Sequence, residues 1–521
     1  MSEMNGAQAL IRTLVDSKVD VCFSNPGTSE MHFVAALDHV PEMRGVLALF
    51  EGVATGAADG FARMADRPAA TLLHLGPGLG NGLANLHNAR KGSVPVVNIV
   101  GDHATYHTRY DAQLQSDIVS VARNVSSWIR TSQKPADMGR DAAEAVAAAI
   151  GPPGQVATLI LPADACWLEG GVVAAPVTPQ AAPEINGDAI DSMAKILRSG
   201  EPAAILLGGT NLRRPALMAA ARVCESSGAQ MLAETFPTRL ERGPGLPQPT
   251  RIAYLAEFAM AQLEGLKHLI LVGAKSPVSF FAYPEKPSDL VPEGCTVHTL
   301  ATTADNGVSA LENLAEALGA SSDLKALQDA ARPGKPTGAL TADAVAQAVG
   351  ALLPEGAIVC DEANTSGLSI PAHTAGSAPH DWLCLTGGAI GIGPALATGA
   401  AVACPDRKVV SLEADGSALY TIQALWTQAR EGLDVKTIIF NNRSYSILNM
   451  ELDRVGAGSG GPKAKEMLDL SNPDIDFVSI ATGLGVPATR AESADDVAIQ
   501  LERALAEPGP ALIEAVVDPI F

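Results

Sequence analysis

The 521-residue chain carries a formal net charge of −21, with 47% apolar and 18% charged residues. That acidity argues against a general nucleic-acid or anionic-membrane surface, since both need a basic footprint, and the apolar content argues against a disordered chain. Seven scattered cysteines without a CxxC pair speak against a disulfide framework or zinc site and fit a reducing compartment. The opening residues MSEMNGAQAL lack a basic stretch leading into an apolar one. With no run near the ~18 apolar residues that span a bilayer, a cytoplasmic protein is expected.

In chain order, VDVCFSNPGTSE reads as a strand and tight turn, TLLHLGPGLGNG as a strand and glycine loop, and VPVVNIVGD as a buried strand. PAAILLGGTN and LKHLILVGAK are strands that run into glycine, and GAIVCDEANTSG, KVVSLEADGS and VKTIIFNNRSY are strands that end in polar residues. Helix-period segments alternate with these runs, the pattern of parallel α/β layers. Pro/Ala/Gly-rich stretches at residues 170–186 and 330–341 read as linkers. The expected fold is therefore α/β, with three doubly wound parallel-sheet domains over residues 1–178, 187–332 and 338–521. Ligands of open α/β sheets bind outside the carboxyl ends of the strands, so the polar residues that close the apolar runs are the candidates for function.

Asp415 closes one such run and Asn441-Asn442 closes another, with 26 residues between Asp415 and Asn442. If the two strands are adjacent, a carboxylate and an amide oxygen can share one hard cation. Mg²⁺ takes oxygen ligands and is usually completed by substrate phosphates. Gly416 and Ser417 open the following helix, whose free N–H groups favour an anion. Asp415 as a plain helix cap and Asn442 as a turn residue is the bland alternative; the spacing and the paired asparagines favour the cation.

EADGSALYTIQALWTQAREGLDVKTIIFNNRSY resembles the Gly-Asp-Gly…Asn-Asn signature of the thiamine diphosphate-dependent 2-oxo acid decarboxylases and acetolactate synthases, with Ala414 where the pattern has glycine. The resemblance implies that Asp415, Asn442 and the Ser444 carbonyl hold Mg²⁺, and that Gly416, Ser417 and Tyr445 belong to the cofactor site. LFEGVATGAADGFARMADRPA resembles the segment carrying the family's glutamate, which makes Glu51 the carboxyl that exchanges a proton with the aminopyrimidine ring. LTGGAIGIGPALATGAAVACPDRKVV resembles the approach to the diphosphate domain. There Gly388 would lend its carbonyl to the aminopyrimidine and Ile390 would press beneath the cofactor. DEANTSG implies diphosphate contacts at Asn364 and Thr365. The three thirds become pyrimidine-binding, middle and diphosphate-binding domains, and active sites at a subunit interface imply a homodimer or homotetramer.

SNPGTSEMHFVAAL and LLHLGPGLGNGLANLHNA are similar to the benzoylformate decarboxylase branch and to acetolactate synthase large-subunit-like proteins. They imply Thr28 near the substrate carboxylate and His74 as a proton-relaying histidine. The branch's second histidine, in the middle domain, is replaced at Phe281 and Ala282, so proton relay either differs or comes from His103 or His107. Ile447 and Glu451 stand at pocket positions: bulky Ile447 suits a small acid such as pyruvate, and Glu451, if it points inward, disfavours an additional anionic group. A Gly-Gly-Thr turn in LLGGTNLRRPAL is too weak a signal to predict FAD. The expectation is a small 2-oxo acid decarboxylated and then joined to a second one. Aldehyde release, another C–C lyase or hydrolase reaction, and a non-catalytic paralogue remain as alternatives.

Overall fold

The computed structural model describes residues 4–520. Three sheets follow one another along the chain. The first has six parallel strands in the order Arg44–Leu47, Val21–Asn25, Ala69–Leu73, Val96–Asp102, Val156–Pro162, Trp128–Thr131. The second has five parallel strands, Thr250–Arg251, Gln230–Ala233, Ala203–Leu207, His268–Val272 and Thr296–Ala301. The third has seven, ordered Ala488–Ala491, Ala511–Val516, Val435–Asn441, Val409–Ala414, Ala357–Glu362, His380–Cys384 and Leu240–Arg242. Central strands such as Ala69–Leu73 and Ala203–Leu207 are buried along their whole length. Helices cover both faces, and a continuous apolar run satisfies such an environment where an alternating one would not. Residues 170–186 and 330–341 contain no helix or named strand. No described helix is long and apolar enough to cross a membrane.

One expectation changes. The glycine-rich stretch after Leu73 is not a loop but the helix Leu75–Lys91. A Cβ at Gly76 would stand 1.9 Å from the Ser116 hydroxyl oxygen, and one at Gly82 would stand 2.9 Å from Thr55. Close packing, rather than turning, is what these glycines permit. The segment Leu240–Arg242 leaves the middle of the chain and pairs antiparallel with His380–Cys384 on the third sheet. The Arg242 guanidinium lies 4.9 Å from the Trp382 ring centroid, a cation–π contact that anchors this edge.

The first and third sheets are joined by the helices Glu51–Ala65 and Gly393–Ala403, which cross almost backbone to backbone. A Cβ at Gly60 would lie 2.1 Å from the Leu396 carbonyl oxygen, and one at Gly399 would lie 1.8 Å from that of Ala57. Beside the crossing, Arg63 is fully buried and paired with Asp59 at 2.6 Å. Its guanidinium also donates to the carbonyls of Cys384 (2.6 Å) and Thr238 (3.1 Å), so one side chain ties the first helix to the third sheet and to the middle segment.

Gly60→Ala and Gly399→Ala should each lower unfolding stability by about 1–3 kcal/mol through overpacking. Urea midpoints read this, and unchanged midpoints would show that the crossing can open to admit a methyl group.

Candidate active site

The strands Val409–Ala414 and Val435–Asn441 are parallel neighbours with Ala414 opposite Phe440, so Asp415 and Asn442 emerge side by side. Asp415 is buried; its Oδ1 accepts the N–H of Gly416 (2.8 Å) and its Oδ2 that of Arg443 (2.7 Å). Burial pushes its carboxyl up to about 6 against the pull of those backbone donors. Asn442 Oδ1 accepts the Ser444 N–H at 3.0 Å. The Asn442 and Ser444 backbone N–H groups also draw on the Asp415 carboxyl. Among the described residues no N–H or hydroxyl donates to the Ser444 carbonyl. Asn364 donates to the Ser417 hydroxyl at 2.8 Å, which brings the 364–367 turn to the same place, with Thr365 buried beside it. A Cβ at Gly416 would sit 2.4 Å from the Tyr445 ring, so only glycine lets that ring lie against the turn.

The turn before helix Gly393–Ala403 carries Gly388 and Ile390. Asn88 receives the N–H groups of Gly387 (3.0 Å) and Ala389 (3.2 Å) on Oδ1 and donates Nδ2 to the Ala389 carbonyl (2.8 Å). On the other side the two oxygens of Glu362 take the N–H groups of Gly391 and Gly393, both at 2.6 Å. Glu362 faces Glu413, its register partner on the adjacent strand, and both are buried. Desolvation raises both carboxyls, Glu362 to about 7, and the nearby Glu362 raises Glu413 further.

On the first sheet, Glu51 is the first residue of its helix and accepts an N–H from Asn81 at 3.0 Å. A Cβ at Gly78 would meet Glu51 Oε1 at 3.0 Å and His74 Cβ at 3.4 Å, so Glu51 and His74 flank the same glycine. The His74 ring packs on Gly27, next to Thr28, which is exposed in the Thr28–Glu30 turn. His74 Nδ1 lies 2.8 Å from Glu30 Oε2, which also takes the Gly27 N–H at 2.7 Å. Glu30 is buried against Gly101, and desolvation raises its carboxyl. His103 and His107 lie together past the strand Val96–Asp102, with ring centroids 5.2 Å apart.

The predicted residues thus form two groups, Asp415–Asn442–Ser444 with Asn364, Thr365, Ser417 and Tyr445, and Glu51–His74 with Thr28. No described contact joins Glu51 to Asp415. Sequence reasoning missed Glu30, Glu362, Asn81 and Asn88; only Glu362, which closes an apolar run, carried a signal of the kind used for Asp415. In the middle segment it is Phe280, one residue before Phe281, that reaches the turn: a Cβ at Gly388 would stand 2.4 Å from its ring. Phe236 and Tyr254 complete an aromatic cluster with it. Glu451 is buried and receives the Tyr283 hydroxyl at 3.0 Å, with Arg454 at 3.8 Å.

Residues 4–122 match the thiamine pyrophosphate enzyme N-terminal TPP binding domain, and residues 370–515 match the C-terminal TPP binding domain. The chain belongs to the thiamine pyrophosphate enzymes. It is 61% identical, over 99% of both chains, to a Mycobacterium tuberculosis protein named "Putative acetolactate synthase large subunit IlvX". It is 28% identical to a Pseudomonas aeruginosa benzoylformate decarboxylase, covering 94% of this chain and 95% of that one. A solved Rhodococcus jostii thiamine diphosphate-dependent 4-hydroxybenzoylformate decarboxylase superposes with a TM-score of 0.86 at 25% identity, covering 99% of each chain. The chain is thus a thiamine diphosphate-dependent enzyme of the acetolactate synthase and decarboxylase family, and the buried oxygen cluster at Asp415 fits a cation-bridged diphosphate.

If Glu30 accepts from His74, Nδ1 carries the ring proton and Nε2 is left for an incoming group. Histidine ¹⁵N NMR should therefore show the Nδ1–H tautomer in the wild type and a mixture in Glu30→Ala. The same variant leaves the Gly27 N–H without its acceptor and should lose about 1–3 kcal/mol of stability; one tautomer pattern in both proteins would break the assignment.

Proposed function

We propose that this enzyme uses thiamine diphosphate and Mg²⁺ to decarboxylate a small 2-oxo acid and join the remainder to a second one, as an acetolactate synthase does. In this reading residues 1–178, 187–332 and 338–521 are the pyrimidine-binding, middle and diphosphate-binding domains. Asp415 and Asn442 oxygens with the Ser444 carbonyl ligate Mg²⁺, while Gly416, Ser417, Asn364 and Thr365 receive the diphosphate and Tyr445 lines the site. The observation that carries it is the convergence of Asp415, Asn442 and Asn364 at the carboxyl ends of adjacent strands. The bound cofactor supplies the carbon nucleophile and the electron sink for loss of carbon dioxide.

The protein's own groups do the rest. Glu51, steadied by Asn81, exchanges a proton with the aminopyrimidine ring nitrogen. The Gly388 carbonyl would accept from the cofactor's amino group, and the Ile390 side chain would give it apolar support. Thr28 binds the substrate carboxylate and His74 moves a proton near the reacting carbon. Phe280, against Gly388, walls the pocket on the side where the missing histidine would stand. A proton is then less available on that side, which favours capture of a second keto acid.

Glu51 and Asp415 act together when two copies associate, as a homodimer or homotetramer. Leu49, 46% exposed two residues before Glu51, and Tyr420, 53% exposed three after Ser417, give both half-sites an apolar rim for a second copy to cover. The second reading, aldehyde release of the benzoylformate decarboxylase type, is favoured by the Glu30–His74 pair, which holds a histidine ready to deliver a proton.

Proton NMR of the protein loaded with thiamine diphosphate and Mg²⁺ separates the readings. Acetolactate or acetoin from pyruvate is expected; acetaldehyde, or benzaldehyde from benzoylformate, would establish the second. Glu51→Gln should keep cofactor affinity within about threefold while turnover falls by about 10²-fold or more, the share of a general acid–base group. Asp415→Ala should abolish Mg²⁺-dependent cofactor retention on calorimetry, and unchanged affinity would remove Asp415 from the metal site.

A further inference from the structure

The third sheet reverses its strand order between Ala357–Glu362 and Val409–Ala414, the place where such sheets open a crevice at their carboxyl ends. Glu362 ends the first of these strands. Its backbone leads through Ala363 into Asn364, which holds a left-handed conformation at φ 49° and donates to Ser417. Its side chain turns the other way and reaches Gly391 and Gly393. A helix cap would satisfy free N–H groups within the first turn of its own helix. This carboxylate instead spans one N–H before Ile392 and one after it, with one oxygen for each.

The turn has little else to hold it at this end. Gly391 has φ 91°, and its carbonyl accepts the Thr421 hydroxyl at 2.7 Å and, at a longer 3.4 Å, the Asn85 amide. A Cβ at Gly393 would overlap the Glu413 carboxyl at 2.2 Å, so the second glutamate closes the space behind the turn. Ile390 lies immediately before this clamp and Gly388 three residues before Gly391.

We propose that Glu362 is a positioning residue that fixes the Gly388–Ile390 turn relative to the Asn364 turn through its two backbone hydrogen bonds. It thereby sets how the part of the site beneath the cofactor faces the part that receives its phosphates. The inference rests on the function proposed above. Glu362 touches neither cofactor nor substrate; it acts through Gly391 and Gly393.

Glu362→Gln keeps the side chain's shape but turns one acceptor into a donor facing a backbone N–H. Two measurements test it. Amide hydrogen exchange of the cofactor-free protein should quicken by roughly tenfold or more over residues 388–396, the scale of one lost bond to a charged acceptor. At saturating cofactor, kcat should fall roughly tenfold with the substrate KM within about twofold, and the thiamine diphosphate Kd should rise. Thr421→Val, which removes the shorter of the two side-chain hydrogen bonds to the Gly391 carbonyl, should shift exchange and kcat in the same direction and serves where Glu362→Gln does not fold. A lowered melting temperature with unchanged kcat, Kd and local exchange would reduce Glu362 to a structural residue and overturn the proposal. Wild-type protein that fails to bind thiamine diphosphate with Mg²⁺ would overturn the proposed function itself, a result separate from the exchange comparison.

Discussion

The helix crossing at Gly60 and Gly399 is the constraint on which the arrangement depends. Two helices meet at a separation that leaves no room for a side chain, and each carries a candidate site element at its amino end. Glu51 is the first residue of one, and the turn with Gly388 and Ile390 runs into the other. Because close-packed interiors transmit displacement rather than absorb it, fixing the crossing fixes both ends. Arg63 adds a polar lock. Buried guanidinium groups are costly unless every donor is used, and this one is shared between Asp59, Thr238, Cys384 and Thr386.

Each sheet presents its switch point differently. On the first, Asn25 and Leu73 end neighbouring strands and lead into the Thr28 turn and His74. On the third, Glu362 and Ala414 lead into Asn364 and Asp415. On the second, Leu207 and Val272 run into Gly208 and Gly273, which line a cavity of about 210 Å³ with Arg213 and Arg239. The polar termini of the first and third sheets are readable in the sequence because strand-ending Asp, Asn and His interrupt strongly apolar runs. Asp415, Asn442 and His74 stand out on that ground alone. The strand pairing that sets Asp415 beside Asn442 follows from the single crossover between them.

Other features are not legible because they depend on pairs distant in the chain. Glu30 and His74 are 44 residues apart, and nothing in PGTSE marks its glutamate as buried. Glu362 and Glu413 look like ordinary strand-ending acids until register sets them opposite each other. The glycines of Leu75–Lys91 mimic a loop because glycine serves close approach as readily as it serves turning. Leu240–Arg242 could not be assigned to the third sheet from a three-residue run whose partner, His380–Cys384, lies far along the chain.

The buried acids give the site its electrostatic character. Asp415, Glu362, Glu413 and Glu30 are all raised by desolvation, and in a chain of net charge −21 long-range attraction offers little relief. Relief comes locally: two backbone N–H groups for Glu362, a histidine for Glu30, and for Asp415 backbone N–H groups. Asp415 is the acid among these four that both opens a helix and stands beside the amide oxygen of Asn442, the pairing on which the proposed cation site rests. Glu451 shows the contrasting solution. Tyr283 donates to one of its oxygens and Arg454 stands 3.8 Å from the same atom, so its partners come from within the chain. An acid partnered by a phenol and a guanidinium already has its countercharge within the chain, which sets Glu451 apart from Asp415, whose oxygens meet backbone N–H groups.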